Sequence, residues 1–171
     1  MENTHFDDFA IALDRDSFLR DLLRDLSGAL SRIVGDEEAA GYISLVGAAM
    51  GRRLLARYRD AAGRKAFTPD EVARILVDLK ARIDGGFRIA EVSEDQIVLT
   101  NSACPFAGQV AGRPVLCMMT SNVFGYITAQ SLGYARVEIR EAFARGDDRC
   151  HVVIHLKPRP GPGRAYVSEE Q

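Results

Sequence analysis

The chain has 171 residues, 47% of them hydrophobic, and a formal net charge of −2. That length suits one domain with a core large enough to stand without disulfides, and the composition excludes a disordered chain. A slightly acidic balance disfavours a broad nucleic-acid-binding face, and no apolar run approaches the roughly 20 residues of a membrane span.

Neither direct nucleic-acid binding nor membrane association is therefore expected. Residues 1–12 read as a flexible N-terminal arm, in which Phe6, Phe9 and Ile11 offer docking points. This stretch carries acidic residues and lacks the basic-then-apolar order of a signal peptide, so a cytoplasmic location is expected. In that reducing compartment three cysteines read as thiols or metal ligands rather than disulfides.

Residues 13–157 are expected to form a single sensor or ligand-binding domain. A first helix starts near Asp14, where Phe18, Leu22, Leu26, Leu30 and Ile33 recur at helical spacing, and Gly35 ends it. The second, over 37–58, carries the small residues Ala40, Ser44, Gly47, Ala48 and Gly51. Such a smooth face suits close central packing or a dimer seam, and a homodimer is expected. Thr68-Pro69-Asp70-Glu71 combines a capping threonine, a first-turn proline and a capping-box glutamate. The apolar stripe Val72, Leu76, Leu79 and Ile83 follows, and Gly85-Gly86 stops it.

The period then changes from helical to two. Residues 87–92 and 96–100 predict a hairpin turning at Ser93-Glu94-Asp95. After a loop over 101–113, Pro114 can open a fourth helix that reaches Leu132, with Gly133 terminating it. A second hairpin joins 135–143 to 150–156, and the Pro/Gly-rich residues 158–171 read as a flexible tail. The predicted fold class is α+β: N-terminal helices, then an antiparallel sheet of two hairpins with a helix inserted between them.

Cys104, Cys117 and Cys150 fall on three different elements: a loop, the first turn of the fourth helix, and the start of a strand. Cys150 shares parity with Val152 and Ile154, so it should face inward. Convergence of the three would suit a soft metal, zinc or an iron–sulfur cluster, and a helix start favours the thiolate of Cys117. A redox thiol pair and plain buried thiols are the alternatives. His151 and His155 point the opposite way along the strand. Met118, Met119, Asn122, Val123, Phe124 and Ile127 are candidate walls of an apolar ligand pocket. No phosphate loop, nucleophile elbow or His-Glu-x-x-His pattern occurs, so catalysis has no visible set of parts.

The run Cys104-Pro105-Phe106, the stretch from Gly112-Arg113-Pro114 through Leu116-Cys117-Met118-Met119-Thr120-Ser121-Asn122 to Gly125, and Leu132-Gly133-Tyr134-Ala135 carry a resemblance. So do Arg145-Gly146-Asp147 with Cys150, Glu38-Ala39-Ala40-Gly41-Tyr42-Ile43 and Leu76-Val77-Asp78-Leu79-Lys80. Over about 13–158 the chain resembles the methanogen output domain family, itself related to vinyl-4-reductase type small-molecule-binding domains. The resemblance implies an α+β fold, an apolar pocket between helices and sheet, and a sensory or output role passed to a signalling protein partner.

Some cysteine-bearing relatives act as redox or iron–sulfur sensors, and their twelve-residue gap maps onto Cys104 and Cys117. A further cysteine of that pattern would fall near Ser131, where this chain has none. The haem-binding route needs a helical histidine, and none of His5, His151 and His155 lies on a predicted helix. Three functional readings follow. One is a sensor whose cysteines hold zinc, an iron–sulfur cluster or a redox couple. The others are a module binding an apolar small molecule and a dimeric interaction protein. An enzyme acting on a tetrapyrrole vinyl group rests on the family name alone.

Overall fold

The computed structural model describes residues 14–104, 106, 110 and 116–169, so the expected arm at 1–12 lies outside the described residues. Helix α1 (Arg15–Val34) starts on a reciprocal cap, with Asp14 Oδ1 accepting from Ser17 N at 2.7 Å and Ser17 Oγ accepting from Asp14 N at 3.0 Å. Helix α2 (Asp36–Ala62) ends at Gly63, whose φ of 63° is the left-handed turn that glycine takes without strain. Helix α3 (Pro69–Ala81) opens on the capping box predicted at Thr68 and Glu71.

Strands β1 (Phe87–Val92) and β2 (Gln96–Asn101) form the first hairpin. Helix α4 (Cys117–Leu132) precedes β3 (Tyr134–Glu141), which pairs with β4 (Cys150–His155). The two hairpins join edge to edge through β2 and β4, in register from Gln96 opposite His155 to Asn101 opposite Cys150. The sheet order is β1-β2-β4-β3 with one more strand beside β3, and every neighbour is antiparallel. This is the α+β arrangement read from the sequence.

That fifth strand, β5 (Arg164–Val167), falls in the segment expected to be a flexible tail. Two of its side chains anchor it, Arg164 by donating to Ser44 Oγ at 2.6 Å and Tyr166 by its ring and hydroxyl. The Tyr166 ring lies on Gly125 of α4, where a Cβ would come within 2.1 Å of it, and its hydroxyl meets Ser121 Oγ at 2.9 Å. Ser168 N donates to Gly133 O at 3.0 Å, tying the strand end to the turn after α4. Pro and Gly outnumber the strand formers there, so composition hides a four-residue strand held by tertiary contact.

Helix α4 packs between α2 and the sheet, while α3 covers β1. The small-residue face of α2 is used for central packing. A Cβ at Gly47 would lie 2.6 Å from Asn122 Cβ, and one at Gly51 2.9 Å from Tyr126 Cβ, so the two backbones approach as closely as glycine allows. Leu76, Ile97, Leu99, Phe124, Ile127 and Ile154 are fully buried between helices and sheet. Helix α1 behaves differently: its one buried residue is Ser27, whereas Phe18, Leu22, Leu26 and Ile33 are exposed, Ile33 at 81%. No helix among the described residues is long and apolar enough to cross a membrane.

Candidate functional site

The three cysteines come to one place. A cavity of about 30 Å3 sits between the end of α3, the first turn of α4 and the sheet, and Cys104, Cys117 and Cys150 all line it. Cys117 is the first residue of α4, and Cys150 opens β4 facing inward, as its parity predicted. Phe87, Val152 and Ile139 supply the sheet wall, and Phe106, Val110 and Leu116 close the opposite side.

Asn101, at the end of β2, holds the parts together. Its side-chain Oδ1 accepts from Cys150 N at 2.8 Å, while Nδ2 donates to Ala103 O at 2.8 Å and Gly85 O at 3.3 Å. One buried amide thus ties the Cys150 strand, the connection towards Cys104 and the turn after α3. Satisfying each of these bonds inside the fold fixes where two of the thiols stand.

The polar centre of the cavity is Lys80, which is 6% exposed. Its Nζ donates to Thr120 Oγ1 at 2.9 Å and lies 5.4 Å and 5.7 Å from the ring centroids of Phe124 and Phe87. Burial pushes its pKa down to about 8, and the nearby thiols of Cys104, Cys150 and Cys117 pull it part of the way back. Aromatic faces stabilise a cation by roughly 0.5–2 kcal/mol, less than removing an ammonium from water costs. Lys80 therefore keeps its charge at neutral pH at some expense.

Cys117 does not behave as the helix start suggested. Burial first, then the neighbouring Cys150 and Cys104 sulfurs, push its thiol up to about 11. With its pKa raised by burial, the side chain stays protonated at neutral pH.

The pocket residues expected along α4 are placed elsewhere. Val123, Phe124 and Ile127 are packed into the main core, and Asn122 donates from Nδ2 to Ser44 Oγ at 3.1 Å and Met118 O at 2.6 Å. Met118 lines a neighbouring hollow of about 270 Å3, and Met119 lines neither space. The face of α4 turned to the cavity carries Leu116, Cys117 and Thr120. His155 meets Glu138 at 3.0 Å on the other side of the sheet, and neither it nor His151 lines the cavity.

A metal centre on these thiols fits poorly. Among the described residues no group of three His, Cys, Asp or Glu side chains is placed to hold a metal ion. The Lys80 ammonium shares the cavity with the thiols and repels a second cation. Sequence reasoning missed Lys80 and Asn101. The signal for Lys80 was its place four residues after Leu76, on the face that the apolar stripe marks as buried.

No curated protein matches the chain. Among solved structures, trafficking protein particle complex subunit 3 from Naegleria fowleri, covalently bound to palmitic acid, shares the fold. The TM-score is 0.56 at 16% identity, and the match covers 83% of this chain and 97% of that one. Methanogen output domain 1 matches residues 22–155, from the middle of α1 to the end of β4. The chain belongs to the methanogen output domain 1 family, and as an output domain it has its role in signalling.

Proposed function

We propose that this is a cytoplasmic signalling domain whose state is set by a small, largely apolar molecule in the cysteine-lined cavity. The observation that carries the reading is the cavity itself, apolar walls around one buried ammonium, built from α3, α4 and four strands of the sheet. Ligand sites combine an apolar lining with a few fixed polar groups, and here Lys80, Thr120 and Asn101 are those groups. A protein of the same fold holds palmitic acid covalently, which is consistent with an apolar occupant. Occupancy would bear on α3, on the start of α4 and on four strands at once, so it can reach the surface through rigid elements.

The test is titration with hexan-1-ol, whose hydroxyl end fits the cavity and whose chain needs the adjoining hollow of about 270 Å3, followed by methyl NMR of Val110, Ile139 and Val152. Saturable shifts at these methyls are expected, and Ala142→Leu, which fills the cavity wall, should abolish them while the fold persists. An absence of saturable shifts in the unsubstituted chain would overturn the reading.

The competing reading is a zinc or iron–sulfur centre, or a redox couple, on Cys104, Cys117 and Cys150. Their convergence favours it, and Lys80 among them counts against it. Elemental analysis of protein purified without oxygen separates the two: stoichiometric zinc, or iron with sulfide, would replace the ligand reading with the metal one.

Homodimerisation is the second part of the proposal. Leu22 and Leu26 of α1 and Leu45 of α2 stay exposed at 42%, 58% and 69%, an apolar surface that a second copy would cover. Light scattering should give a dimer that Leu22→Asp with Leu26→Asp converts to monomer. A concentration-independent monomer in the unsubstituted chain would remove this part.

A further inference from the structure

Among the described residues no carboxylate pairs with Lys80. The charges that act on it are the thiols of Cys104, Cys150 and Cys117, and the bonds it makes are to a hydroxyl and two ring faces. Cys117, whose thiol is pushed up to about 11, does not supply the missing negative charge at neutral pH.

A second positive feature opens on the same space. Helix α4 begins without a capping side chain among the described residues and has no acidic residue in its first turn. Leu116, Cys117 and Thr120, from that first turn, line the cavity. This end of a helix is the positive end of its dipole, which favours an anion. Thr120 receives the Lys80 bond on its oxygen and keeps its own O–H to donate.

Size and surroundings narrow the anion. A cavity of about 30 Å3 holds roughly two water-sized groups, which suits the two oxygens of a carboxylate. Beyond Cys117, Ile139 and Ala142, which line both spaces, lies the hollow of about 270 Å3, where Met118 and Val137 add apolar wall and Ser121, Arg145, Gly163 and Arg164 complete it. A carboxylic acid stays ionised where a thiol does not, because its ordinary pKa is about 4 units lower.

We propose that the cavity is a carboxylate site: an organic acid sets its head between Lys80 and the first turn of α4, and lays its apolar body past Cys117 into the outer hollow. This deepens the ligand reading above and rests on it. It names the class of signal as a small amphipathic acid, and it gives the buried lysine a purpose that packing alone does not.

The experiment compares straight-chain acids from acetate to decanoate with the matching alcohols on the full chain, by calorimetry. At least one acid should bind about tenfold more tightly than its alcohol, as expected for a charge-assisted hydrogen bond. Lys80→Met should remove that advantage, bringing the affinity of the acid down to that of its alcohol, and Thr120→Val should reduce it. Circular dichroism confirms that the variants fold.

Acids binding no better than alcohols would overturn the carboxylate site and leave the apolar pocket standing. So would an acid whose affinity survives Lys80→Met. If no acid of the series binds, the proposal falls, and if the alcohols also fail, the ligand reading falls with it.

Discussion

Phe124→Ala should lower the unfolding free energy by about 3–5 kcal/mol, read as a lower urea midpoint at unchanged slope. Phe124 is fully buried, and its ring meets Phe87 edge to face at 5.5 Å with the planes 75° apart. Truncation removes the transfer free energy of a whole ring and leaves a void between α4 and the sheet. It also strips one of the two aromatic faces from Lys80, so the ammonium loses part of its compensation as well. Phe124→Leu keeps most of the volume and should cost much less. A loss below about 1 kcal/mol for the alanine variant would mean that the helix–sheet seam repacks freely, which the close fit at Gly47 and Gly51 argues against.

The second large effect is a rise in stability between about pH 8 and pH 9. Lys80 releases its proton at about 8 in the folded chain and near its ordinary 10.5 when unfolded. Across that interval unfolding takes up a proton, so stability rises with pH by about 1.4 kcal/mol per unit for this one group. Cys117 works the other way. Its thiol is held up to about 11 against an ordinary 9.0, so from pH 9 upward the unfolded chain has lost a proton that the folded chain keeps, and stability falls. Tyr58, pushed up from 10.0 to about 12 by burial first and its bond to Asp78 next, adds to that fall above pH 10.

The net expectation is a rise confined to about pH 8–9, a plateau, then a decline. In Lys80→Met the rise should vanish and the decline begin directly above pH 9. At pH 7 the variant should be at least as stable as the unsubstituted chain, because methionine occupies the site without burying a charge. Urea midpoints at pH 7, 8, 9 and 10 measure both curves. A rise that persists without Lys80 would assign it to another group.

Much of the architecture was legible in local chemistry. Thr68 and Glu71 form the reciprocal cap their spacing announced, and the change to period two at Phe87 marks the first strand. Parity along β4 turned Cys150 inward, and three thiols read as one candidate site do line one cavity. What stayed hidden depends on tertiary placement. The stripe on α3 suggested Ile83, which is 51% exposed, while Lys80 is buried because two phenylalanines and Thr120 receive it. The apolar run on α4 read as a pocket wall, but a helix seated between another helix and a sheet needs apolar residues on both sides. Which of them border a hollow is set by neighbours far away in sequence.

The strand at the end of the chain has a consequence for how the protein is handled. Shortening the chain after Lys157 would strip β3 of its outer partner and leave the unpaired amides and carbonyls of Tyr134 to Val137 facing water. A bare sheet margin of this kind recruits strands from other molecules. The same cut would take away Gly163 and Arg164, which wall the 270 Å3 hollow, and the ring that shields the α4 backbone at Gly125. Residues 158–169 thus act as a selvedge. They keep the weave from fraying into filaments, and a shortened protein that clumps would reflect the missing hem rather than a weak interior.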